Sequence, residues 1–134
     1  MKKHLSLILL LGATACTTPP APSASFRELS EAEKFALQKS LPSNLGGAAV
    51  AQFRWGPVVA STARNANTGY CAEIDARNPD GTRSGYRRFF ALLIPNASGE
   101  LTSGTIQGIA ANSSAGDPEA TERVTASCRR WGYS

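Results

Sequence analysis

The 134-residue sequence predicts a small α+β domain: an antiparallel sheet of about four strands, a helix at each end of the domain, and one disulfide. Three observations point there. The middle of the chain alternates apolar and polar residues with a period of two. Both flanks carry helix-cap chemistry at the right spacing. Two of the three cysteines are left to pair once the first is otherwise explained.

The first helix is expected at 31–40. Ser30 and Glu33 form a capping box, in which each side chain satisfies the other residue's backbone N–H. Ala32, Phe35 and Ala36 share one helical face, Leu29 extends it a turn earlier, and Pro42 stops the run. A half-buried strand follows in "AVAQFRWG", where Ala51, Phe53 and Trp55 alternate with Gln52 and Arg54. In "YCAEIDARN", Tyr70, Ala72, Ile74 and Ala76 fall on one side. Cys71, Glu73 and Asp75 fall on the other, the two acids reading as polar residues of a partly solvated face. "NPDG" turns the chain, with Pro79 and Gly81 supplying opposite backbone requirements. "YRRFFALLI" is the next strand, ending at Pro95. "LTSGTIQGIA" is Gly-rich and weakly apolar, and so belongs at or near a sheet edge.

The last helix opens with Asp117 as cap and Pro118 in the first turn, and Gly132 suits the position just beyond its end. Ala120, Val124, Cys128 and Trp131 recur at helical spacing, placing Cys128 on the apolar stripe. The unbroken apolar run from Phe89 to Ile94 asks for cover on both sheet faces. Cys71 lies on the face away from Ile74. A C-terminal helix over that face meets both conditions and pairs Cys71 with Cys128. Closing so long a loop is worth roughly 4 kcal/mol in the chain-entropy account.

The N-terminus divides differently. Residues 1–15 read as a secretion signal: a basic start at Lys2-Lys3, an apolar Leu5–Leu11 core too short to span a bilayer, and small residues Gly12 to Ala15. Ala13-Thr14-Ala15 alone would suit an ordinary signal peptidase. Followed by Cys16, it resembles a bacterial lipobox, with Ala13 where Leu is commoner, and the resemblance implies a diacylglyceryl group on Cys16. Cysteine parity agrees, since lipidation of Cys16 leaves an even pair in an oxidising compartment. Residues 16–25 are then the lipidated cysteine and a Pro/Ser/Thr/Ala tether. Its extended backbone reaches about 28 Å at about 3.1 Å per residue. By resemblance to Gram-negative lipoproteins, Thr17 in place of an Asp implies the outer membrane. Residues 26–134 form a single periplasmic domain.

Composition excludes several classes of function. Without Lys2 and Lys3 the basic excess falls from four to two, too weak for a nucleic-acid partner. His4 is the only histidine, and it leaves with the signal. Histidine-assisted nucleophiles and nearly all zinc arrangements go with it. No cofactor is expected, nor an enzyme. The candidate binding residues are Arg83, Arg87 and Arg88 around Tyr86, with Arg129 and Arg130 at the end of the last helix. Guanidinium beside aromatic suits lipid A phosphates, peptidoglycan carboxylates or an acidic protein. A solvated face is the alternative, with Arg129 and Arg130 complementing the helix dipole.

"FRWGPV" followed by "YCAEIDARNPDGTRSGYRRF" resembles a domain of small, mostly uncharacterised proteobacterial envelope lipoproteins. Tyr70, Cys71, Ile74, Ala76, Arg77, Asn78, Gly81, Gly85 and Phe89 carry the likeness, and Ala72, Asp75, Arg83 and Arg88 depart from it. The expected function is a non-catalytic lipoprotein at the outer membrane. Its periplasmic domain would bind another envelope component: a protein complex, peptidoglycan or lipopolysaccharide. The alternative is an envelope-tethered inhibitor of a hydrolase such as lysozyme or a protease, probing with the loops at 61–69 or 111–117.

Overall fold

The computed structural model describes residues 25–45, 51–60, 66–77, 80–83, 85–111 and 118–134. The expected signal, Cys16, residues 17–24 of the tether, Pro79, Asp117 and most of both probing loops lie outside them. In chain order the elements are β1 (Phe26–Arg27), α1 (Glu31–Ser40), β2 (Gln52–Arg54), β3 (Val58–Val59), β4 (Thr68–Asp75), β5 (Arg87–Pro95), β6 (Leu101–Ile109) and α2 (Pro118–Arg130). Four strands make one antiparallel sheet in the order β2-β4-β5-β6, with β6 at an edge as its composition requires. The short strands β1 and β3 pair separately, a second sheet the sequence pattern does not reveal. The fold is α+β.

On one face of the sheet, Tyr70, Ile74, Phe89, Ala91 and Leu93 are fully buried, together with Leu37 and Leu41 of the α1 region. Pro42 ends α1 as expected, and the chain continues in a 3-10 turn, Leu41–Asn44. The capping box forms, Ser30 accepting from the Glu33 N–H and Glu33 from the Ser30 N–H.

The inward face of α1 is not the one expected. Phe35 is 64% exposed with Lys39 over its ring, and Ala32 is exposed as well. The buried stripe is Leu29, Glu33, Leu37 and Leu41, each four residues from the next. A carboxylate sits in that stripe because every lone pair is used. Arg27 grips it with two N–H groups at 2.7 and 2.8 Å, and the N–H groups of Ser30 and Leu101 donate at 3.0 and 2.9 Å. Those bonds, that of Arg27 foremost, hold the carboxyl down at about 2.

On the other face α2 lies across the sheet, tied by the Cys71–Cys128 disulfide, which closes a separation of 57 residues. Trp131 rests on Gly69, where a Cβ would overlap its ring, so only glycine permits this contact. Gly132, at φ 93°, ends the helix in a Schellman turn: its N–H donates to the Arg129 carbonyl, and the Tyr133 N–H donates to the Cys128 carbonyl. This turn swings Tyr133 into the core, where its hydroxyl donates to the Gly69 carbonyl and accepts from the Val59 N–H. Aromatic contacts then run from Phe26 through Tyr133, Tyr70, Phe89 and Phe53 to Trp55. The expected cover over Phe89–Ile94 is incomplete. Phe90 and Leu92 are half-buried beside α2, but Ile94 lies beyond the helix and is 43% exposed.

Candidate anion-binding face

The helix α2 covers only part of its sheet face, and the uncovered part is polar. Register puts Arg54 of β2, Glu73 of β4 and Arg88 of β5 side by side on three adjacent strands. Two residues further along β4, on the same face, lies Asp75. Two more bring Arg77, which stands directly opposite Arg83 in an isolated antiparallel bridge. The face thus gathers four arginines against two carboxylates.

The contacts are loose. Arg54 meets Glu73 at 3.4 Å and stacks 3.8 Å above the Tyr86 ring. Arg83 meets Asp75 at 3.5 Å, through one nitrogen. Arg88 donates at 2.8 Å to the main-chain oxygen of Ser134. The exposed Arg54–Glu73 pair contributes about 0–1 kcal/mol. Asp75 is under-satisfied: its side chain is 9% exposed, and Oδ1 has no hydrogen-bond partner. Arg77 and Arg83 add a like-charge repulsion across the bridge.

Comparison with protein-family models, curated proteins and solved structures finds no match for this chain. The site therefore stands on its own geometry.

Of the four candidates named from sequence, Arg83, Tyr86 and Arg88 gather on this face. Arg87 does not. It pairs with Ile74 across β4 and β5, on the opposite face, with a buried Nε that lacks a partner. Sequence reasoning missed Arg54 and Arg77. Both were within reach of the period-two rule, since Arg54 alternates with Phe53 and Trp55, and Arg77 follows Cys71, Glu73 and Asp75 at even spacing. Arg129 and Arg130 are exposed in the last turn of α2.

Beside α2 on the β6 side lies a groove of about 280 Å³, floored by Phe90, Leu92 and Gly108 and walled by Ala120 and Val124. Among the described residues, no three or more of His, Cys, Asp and Glu cluster to hold a metal ion.

Proposed function

We propose that this chain is a non-catalytic lipoprotein, anchored through Cys16 to the outer membrane. Its periplasmic domain binds another envelope component through the face that carries Arg54, Arg83, Arg88 and Tyr86. The observation that carries the reading is the excess of exposed guanidinium groups on the part of a sheet that α2 leaves bare. Arginine forks suit carboxylates and phosphates, and the envelope presents both. The non-catalytic reading draws support from the residue inventory. His4 is the only histidine and belongs to the expected signal, and Cys71 and Cys128 are bonded to each other.

Two experiments test the two halves. Cys16→Ser should abolish acyl labelling and move the protein to the soluble fraction. A variant that keeps its label and stays with the outer membrane removes the anchor. Replacing Arg54, Arg83 and Arg88 together with Gln should weaken envelope association of the unlipidated protein. In the parent, that association should fall as salt rises, because exposed charges are screened over about 8–10 Å. Unchanged, salt-insensitive association in the triple variant leaves these arginines as a solvated face.

A further inference from the structure

We infer that the occupant of this face is an extended acidic segment of another protein, with carboxylates at alternate residues. The inference rests on the anion-binding reading above and names the partner's chemistry.

The sign pattern is the first reason. Arg54 and Arg88 flank the exposed Glu73, and Arg83 reaches over the buried Asp75, so on this surface cations surround a single exposed carboxylate. A densely anionic membrane or lipopolysaccharide surface would press phosphates against Glu73 as well as against the arginines. Discrete carboxylates can sit over the arginines and miss Glu73, which also fixes register.

The spacings differ by no more than long side chains can span. Strands lie about 4.8 Å apart, so Arg54 and Arg88 stand about 10 Å apart at their backbones. Carboxylates at alternate residues of an extended peptide are separated by about 6.8 Å. Such a ligand reaches two or three of these guanidinium groups, whereas one phosphate group reaches fewer.

The protein already holds the arginines this way. Glu73 and Asp75 are alternate residues of one strand, each meeting a single arginine nitrogen, at 3.4 and 3.5 Å. A guanidinium carries five N–H donors, and among the described residues one nitrogen of each fork meets a carboxylate. The side chain of Arg54 is 63% exposed and that of Arg83 40%. Arg77 stands directly opposite Arg83, so a ligand carboxylate placed there would meet two like charges.

The experiment measures binding of labelled peptides to the full mature protein in detergent at low salt. One peptide alternates Glu with Thr, and a second of the same composition repeats Glu-Glu-Thr-Thr, so that no two of its Glu residues are alternate. Inorganic phosphate and phosphatidylglycerol vesicles are the other two probes. The alternating peptide should bind up to about fivefold tighter than the Glu-Glu-Thr-Thr isomer, since an exposed pair is worth up to about 1 kcal/mol. Arg54→Gln with Arg83→Gln should weaken it about tenfold, while Lys34→Gln with Lys39→Gln, on α1 over the opposite face, leaves it unchanged. Circular dichroism of each variant confirms the fold. Equal binding of the two peptides, or tighter capture by the vesicles, overturns the acidic-strand inference and spares the anion-binding reading. Binding of no anionic probe, or binding indifferent to Arg54 and Arg83, overturns both.

Discussion

The carboxylate of Glu33 accepts a 2.9 Å hydrogen bond from the backbone N–H of Leu101, 68 residues further along the chain. One side chain thereby caps α1, grips Arg27 of β1, and fastens the first residue of β6.

Acid should expose that role. The Glu33 carboxyl titrates at about 2 when folded, against 4.5 ordinarily. A depressed carboxylate contributes stability that is complete above the unfolded value and is lost as pH falls from about 4.5 toward 2. At about 1.4 kcal/mol per pH unit, the loss is on the order of 3 kcal/mol. Glu33→Gln should therefore be less stable by about that amount at pH 7, with the gap to the parent closing near pH 2–3. Denaturant melts at both pH values read it, and a gap that persists undiminished in acid contradicts the account.

The contact of Trp131 on Gly69 should show as coupling. Gly69→Ala forces the indole off the strand and should lower stability by about 1–3 kcal/mol, the usual range for overpacking. Trp131→Ala alone also destabilises, but in the Gly69→Ala background its further effect should be much smaller. A double-mutant cycle that comes out additive would show that the two residues do not interact.

The disulfide is open to direct chemistry. Mass spectrometry without reduction should recover a Cys71–Cys128 peptide pair from the protein isolated without reductant. Cys128→Ala should cost about 2–5 kcal/mol, the range for a native bridge in a small secreted domain. Two alkylatable thiols in that material would mean that α2 is held by packing alone.

The inward face of α1 can be settled with two single changes. Leu37 is fully buried, so Leu37→Ala should destabilise by about 2–5 kcal/mol. Phe35 is 64% exposed, so Phe35→Ser should shift stability by about 0.5 kcal/mol or less. Comparable losses at both positions would return Phe35 to the core.

Local chemistry alone determined much of this protein. The capping box at Ser30 and Glu33, the stop at Pro42, the alternation in β2 and β4, and the glycine at 132 each act within a few residues. Cysteine parity and the stripe through Val124 and Cys128 reached further and joined α2 to β4 before any fold was in view. What only the tertiary structure decided depends on partners distant in sequence. Glu33 is polar, so a search for an apolar face passes over Leu29, Glu33, Leu37 and Leu41. The carboxylate becomes a core residue only because Arg27 and the Leu101 N–H arrive from elsewhere. The extent of α2 left Ile94 exposed, and strand register separated Arg87 from Arg88 while bringing Arg54 and Arg77 to the same face. A period of two tells which residues share a side of one strand, but which strands lie next to one another is set by packing across the whole sheet.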